Sequence, residues 1–174
     1  MTENQTNDID SVLFAKYLVA KANAENVDMN LTKLMKLMYI CYGVYLAVCQ
    51  RRLLNERPQA WPYGPVFANA RQVMKDVIFY SITEDAAQTL VGNEELNSLI
   101  ASVFKVFGDW TASELTAWSH SENSPWQKTI HKIGFSFGDV MSDNLVYEYF
   151  STMLSRPKQT EFAAVPAMVE APIK

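Results

Sequence analysis

Leu31-Thr32-Lys33-Leu34-Met35-Lys36-Leu37-Met38-Tyr39-Ile40-Cys41-Tyr42-Gly43-Val44-Tyr45-Leu46-Ala47-Val48-Cys49 is the stretch on which the fold turns. Leu34, Leu37, Met38, Cys41, Tyr42, Tyr45 and Leu46 recur at helical spacing, and almost nothing polar follows Lys36. A helix that is apolar nearly all round belongs at the buried centre of a bundle. Asn30, just before it, has the side chain of a helix cap. Gly43 costs about 1 kcal/mol against alanine inside a helix, so its place there reads as permission for a close helix crossing. Lys33 and Lys36 read as solvated positions on an otherwise buried element. The uninterrupted apolar run, residues 37–49, is shorter than the ~20 residues needed to span a bilayer.

Outward from this centre the pattern stays helical. Asp8 or Asp10 can cap a first helix that carries Leu13, Phe14, Tyr17, Leu18 and Ala22 on one broad face. Residues 53–61 read as extended, with a short hairpin as one form, and lead into Ala60-Trp61-Pro62-Tyr63-Gly64-Pro65-Val66. Two prolines and a glycine so close together exclude a helix and make a rigid elbow. Its aromatics, Trp61 and Tyr63, suit either a packed corner or an exposed anchor. Val66, Ala70, Val73 and Val77 predict a third helix, whereas residues 77–82 are ambiguous. Asn93 opens a strongly periodic helix with Leu96, Leu99, Ile100, Val103 and Phe107, which Gly108 ends. Thr111 and Glu114 make a capping box, and Ser124-Pro125-Trp126-Gln127 starts another helix with proline at its first position. A final helix is expected over residues 142–154, and the aperiodic residues 156–174 read as a loose tail.

The 174 residues suit one domain, and 49% hydrophobic content supplies a core without metal or disulfide staples. A net charge of −4 gives no basic footprint for nucleic acid. Cys41 and Cys49, eight residues apart on one predicted helix, would be ~12 Å apart, too far to bridge. Residues 1–10 are polar and acidic, unlike a secretory leader, so the expected setting is the cytoplasm with reduced thiols.

The chemistry of catalysis is largely missing. His120-Ser121-Glu122 matches half of a zinc deaminase signature, but Pro125 is followed by Trp126 rather than by the cysteine pair. Cys41 with His120 could form a nucleophile pair only if the thiol escaped its apolar surroundings, which raise its pKa. No phosphate-cradling glycine loop, nucleophile elbow or dinucleotide fingerprint occurs. His120 reads instead as a hydrogen-bonding residue that locks its loop to the Trp61 elbow. Three readings remain: an interaction protein, a small metal-dependent or hydrolytic enzyme using His120 and Glu122, and a nucleic-acid-binding regulator.

Three segments in order resemble the Panacea (SocA-like) antitoxin domain, known from phage-associated proteins. Leu31-Thr32-Lys33-Leu34-Met35-Lys36-Leu37-Met38-Tyr39 is similar to the family's L-T-x-x-K-L-Q-K-L-x-Y helix, with its lysine-leucine pairs at Lys33-Leu34 and Lys36-Leu37. Ala60-Trp61, Tyr63 and Gly64-Pro65-Val66 resemble A-W-x-x-G-P-V. Ser119-His120-Ser121-Glu122 and Pro125-Trp126 resemble T-H-x-E-x-x-P-W. Met35 stands where the family has glutamine, and Ser119 where it has threonine. The resemblance, which runs over residues 14–150, implies a mainly α protein that neutralises a toxin encoded beside it by direct contact, with no cofactor, metal or catalytic residue. The residues it marks as motif or partner-binding positions are Lys33, Lys36, Tyr39, Trp61, Tyr63, Gly64, Pro65, His120, Glu122, Pro125 and Trp126. The expected architecture is one helical domain over residues 1–155, with about six to seven helices and a short extended or hairpin element near residues 53–61.

Overall fold

The computed structural model describes residues 8–155. The tail expected over residues 156–174 lies outside the described residues. The fold is mainly α, with eight α-helices and one small hairpin among the described residues. In chain order these are α1 (Ser11–Ala24), α2 (Leu31–Cys49), β1 (Gln59–Trp61), β2 (Gly64–Val66), α3 (Ala68–Met74), α4 (Gln88–Val91), α5 (Glu94–Phe107), α6 (Ala112–Ser119), α7 (Pro125–Ile130) and α8 (Asp143–Ser155). The one-turn α4 and the single 3-10 turns at Phe79–Ser81 and Glu84–Ala87 exceed what periodicity could show, because one turn is shorter than any repeat.

Helix α2 is the axis of the molecule, in contact with α1, α3, α5, α6, α8 and the hairpin. It is long and apolar enough to cross a membrane, but most of it is buried inside the fold, as a core helix is. Gly43 makes the expected close crossing. A Cβ there would stand 2.2 Å from the Phe150 ring of α8, so only glycine admits that ring. Phe150 packs edge-on to Tyr39 at 5.4 Å between centroids, and Trp118 of α6 joins them and Phe107 of α5 in one aromatic cluster.

Side chains fix the helix starts. Asp10, Asn30, Asn93, Thr111 and Ser124 each accept a backbone N–H at the first turn, and Thr111 and Glu114 complete the reciprocal capping box. At α8, Asp143 accepts the Tyr42 hydroxyl at 2.6 Å and the Arg52 guanidinium at 2.7 Å, which ties the start of that helix to the far end of α2.

Two expectations are corrected. The predicted third helix starts only at Ala68: Val66 belongs to β2, and Val73 is exposed instead of lying on a buried stripe. Pro65 cannot enter a helix interior, and it holds the chain extended through Val66. Lys33 and Lys36, expected in solvent, are buried, with relative exposures of 4% and 1%. The short hairpin expected near residues 53–61 is present, with β1 at the end of that range and its turn in the elbow, where Trp61 pairs with Gly64.

Candidate partner-binding site

The buried lysines explain how the hairpin is held. Lys33 donates from Nζ to the Gly108 carbonyl at 2.6 Å, which places a cation at the C-terminal end of α5, where unsatisfied carbonyls gather. Burial pushes its amine below the usual range, and Asp28 and Asp109 pull it back up. One turn on, Lys36 donates from Nζ to the Pro65 carbonyl of β2 at 3.2 Å. Burial alone pushes this amine down to about 8, so it is still mainly an ammonium at pH 7. Each lysine therefore fastens α2 to the backbone of a distant segment.

Gly64 makes the Lys36 contact possible. Its φ of +104° closes the hairpin turn in a conformation that L side chains rarely adopt. A Cβ at this position would lie 2.7 Å from Ser119 Oγ and 2.8 Å from Lys36 Cε. Thus α2 and the end of α6 close on the hairpin through the space that a side chain would fill.

His120 follows directly at the end of α6. Its ring stacks on Trp126 of α7, with centroids 3.8 Å apart and planes 11° from parallel. Trp126 in turn donates from Nε1 to the Trp61 carbonyl at 2.8 Å. The backbone carbonyl of Tyr63 accepts a hydrogen bond from the His120 imidazole, and Nε2 is buried with no partner. Burial first, and then the nearby Lys36 ammonium, push the His120 pKa below the ordinary histidine value. Ser124 and Pro125 start α7 and so set the angle at which Trp126 meets both the imidazole and the elbow.

The structure brings Lys36, Trp61, Tyr63, Gly64, Pro65, His120, Pro125 and Trp126 into one assembly. Tyr39 lies apart from it, in the aromatic cluster behind α2. Lys33 serves the end of α5, and Glu122 is exposed in the loop before α7. Within the elbow the aromatics divide. Trp61 is half-buried, held by Gln59 at 2.9 Å and covered by the Arg71 guanidinium at 5.2 Å from its ring. Tyr63, at 76% exposure, projects into solvent from the tip of the turn. Cys41 is wholly buried in α2, and its thiol is pushed far up by desolvation. Among the described residues no three His, Cys, Asp or Glu side chains gather as metal ligands.

Sequence reasoning missed Lys36 as a buried member of this assembly. A signal was present: the stripe through Lys33 and Lys36 continues as Ile40, Gly43 and Val44, all apolar, so that face had to meet protein.

Comparison with known proteins agrees with these motifs. No solved structure matches the chain. Antitoxin SocA of Caulobacter vibrioides (strain NA1000 / CB15N) is 27% identical over 141 residues, a match that covers 75% of each chain. The model of the antitoxin SocA-like Panacea domain matches residues 34–127, a span that holds α2 from Leu34 onward, the hairpin and the His120–Trp126 loop. The chain belongs to the antitoxin SocA-like, Panacea domain family.

Proposed function

We propose that this protein is an antitoxin that neutralises a toxin encoded beside it by direct, non-catalytic binding in the cytoplasm, and that the braced elbow is part of its contact surface. The observation that carries the reading is Tyr63, a large aromatic held in solvent at the tip of a hairpin whose base is fixed by Lys36, Trp126 and His120. An exposed aromatic on a rigid mount loses little freedom on binding, which is the character of an interface anchor. Helix α3, whose Arg71 covers the Trp61 ring, extends the same candidate surface beyond the hairpin. An interface of standard size buries about 1,600 Å² in total, more than the hairpin offers alone, so neighbouring elements must contribute.

The enzyme alternative finds little support in the geometry, since His120 is engaged in a stack, Glu122 points to water and Cys41 is sealed in the core. Co-expression with the neighbouring gene product should rescue growth, and the mixed proteins should co-elute from a sizing column. A folded His120→Ala variant that still binds the toxin but gives no protection would overturn the binding-only mechanism.

A further inference from the structure

Residues 131–140, which lead from α7 toward α8, hold three exposed large apolar side chains, Ile133, Phe137 and Val140. Two successive turns present the first two. Phe135 N–H donates to the Lys132 carbonyl at 3.1 Å, and Asp139 N–H to the Ser136 carbonyl at 3.0 Å. Gly134 and Gly138 take φ of +79° and +98°, while Ile133 and Phe137 before them keep negative φ. That is the type II pattern, with Ile133 and Phe137 each at the second place of its turn. The Asp139 carboxylate accepts the Ser136 N–H at 3.1 Å, and Phe135, packed against the core, meets the Phe137 ring edge-on at 5.1 Å. The loop is thus well braced, yet Ile133 is 100% exposed and contributes no packing. Apolar side chains gathered in water on a fixed mount mark a contact surface.

The same segment borders the small sheet. Ala60 N–H donates to the Asp139 carbonyl, Gly138 N–H to the Ala60 carbonyl and Met141 N–H to the Pro58 carbonyl, each at 2.9 Å. Residues 138–141 therefore run antiparallel beside β1, on the side away from β2. Gln59 and Val140 face each other between these bonds, which turns the Val140 N–H and C=O outward. Among the described residues no backbone group meets them, so the sheet has an open edge there. The antiparallel run also puts Phe137 at the same end of the sheet as the Pro62–Tyr63 turn. Lys128 on α7 and Lys132 at the first turn are exposed, and neither forms an ion pair among the described residues.

We propose that the two turns and the open edge at Val140 form a docking surface for an extended segment of the toxin that carries apolar and acidic side chains. This deepens the antitoxin reading and rests on it for the identity of the partner. The segment's backbone pairs with the Val140 N–H and C=O, its apolar side chains cover Ile133 and Phe137, and its carboxylates meet Lys128 and Lys132. Backbone bonds then supply affinity and the flanking side chains selectivity. Two other occupants fit less well. A lipid surface would cover Ile133 and Phe137 but strand the Val140 N–H and C=O in hydrocarbon, which is costly. A second copy of this chain, paired edge to edge about a twofold axis, would bring two sets of unpaired lysines into one interface. An acidic strand satisfies the apolar side chains, the backbone edge and the lysines together, and Tyr63 stands at the end of the sheet where the same partner can reach it.

The test titrates the product of the adjacent gene into the intact protein by calorimetry. Ile133→Ser and Phe137→Ser should each weaken the Kd by at least about fivefold, against less than about twofold for Tyr80→Ser, which removes an exposed aromatic elsewhere. Ile133 lies wholly in water, so its variant keeps the fold. Lys128→Glu combined with Lys132→Glu should weaken binding by at least about tenfold and flatten its salt dependence. Amide exchange at the Val140 N–H, followed by NMR, should slow by at least about tenfold in the complex. Wild-type affinity in both Ile133→Ser and Phe137→Ser, or a Val140 amide left unprotected, would overturn the surface and leave the antitoxin reading standing. Absence of binding by the wild type would overturn both. Sedimentation with phosphatidylglycerol vesicles, or self-association in the ultracentrifuge, that Phe137→Ser abolishes would also overturn the proposal, by giving the loop to a membrane or to a second copy.

Discussion

Two glycines let other groups come close to the central helix or its partners, and they do so for different ends. At Gly43 the absent side chain admits the Phe150 ring, and the contacts around it pack ring on ring: Tyr39, Phe150, Trp118 and Phe107 fill space without directional demands. At Gly64 the absent side chain admits Lys36 and Ser119, and the contacts around it are directed bonds among α2, the hairpin, α6 and α7. The first region depends on volume. The second depends on donors, acceptors and charge, and it ends at an exposed tyrosine. The contrast separates the part of the molecule that keeps it folded from the part suited to meeting a partner.

The volume-dependent region should give the largest losses. Phe150→Ala should cost about 3–5 kcal/mol in denaturant unfolding, as truncating a buried aromatic does. Gly43→Ala should cost about 1–3 kcal/mol through overpacking, and the Gly43→Ala, Phe150→Leu double variant should recover part of it. Full additivity of those two changes would break the claim that they share one space.

The charge-dependent region should reveal itself through pH. Below pH 8 the Lys36 amine is charged in both the folded and the unfolded chain, and the burial penalty is fully present. Between pH 8 and the unfolded value of 10.5, the folded protein has released a proton that the unfolded chain keeps. Stability relative to Lys36→Met should therefore rise across this window, by about 3 kcal/mol in all. The buried Cys41 thiol and the buried tyrosines, whose pKa values are raised, act in the opposite direction at alkaline pH, but equally in both proteins, so the difference isolates Lys36. A flat difference would mean that the amine is hydrated.

Trp126→Phe keeps a ring against His120 but removes the bond to the Trp61 carbonyl. It should cost about 1–2 kcal/mol, on the scale of one buried hydrogen bond left unmade. Loss on the scale of Phe150→Ala would show that this region too is governed by volume.

The difference between the regions also explains what could be read from the sequence. A close crossing at Gly43 was legible, because a glycine inside an apolar helix costs stability unless a neighbour comes near, but the identity of that neighbour as Phe150 of α8, 107 positions on, was not. The capping residues Asn30, Thr111 and Ser124 were legible for a local reason: each acts on a backbone N–H within three residues. Lys36 was not, because a lysine's default is solvent and the carbonyl that holds it lies 29 positions away. The elbow was recognised as rigid, but its prolines and glycine did not show that Trp61 would turn inward and Tyr63 outward. That choice is made by Gln59, Arg71 and Trp126, and the last of these is 65 positions distant from Trp61.

The smallest expected effect on folding belongs to Tyr63, and it carries the most direct test of the elbow as a binding surface. Tyr63→Ala removes a ring that is mostly in water, so stability should change by less than about 0.5 kcal/mol. Calorimetric titration of the neighbour-encoded toxin into wild type and Tyr63→Ala should give a Kd at least about tenfold weaker for the variant, as truncation of an interface anchor does. Equal affinities for the two folded proteins would contradict the assignment of the elbow as the partner-binding surface.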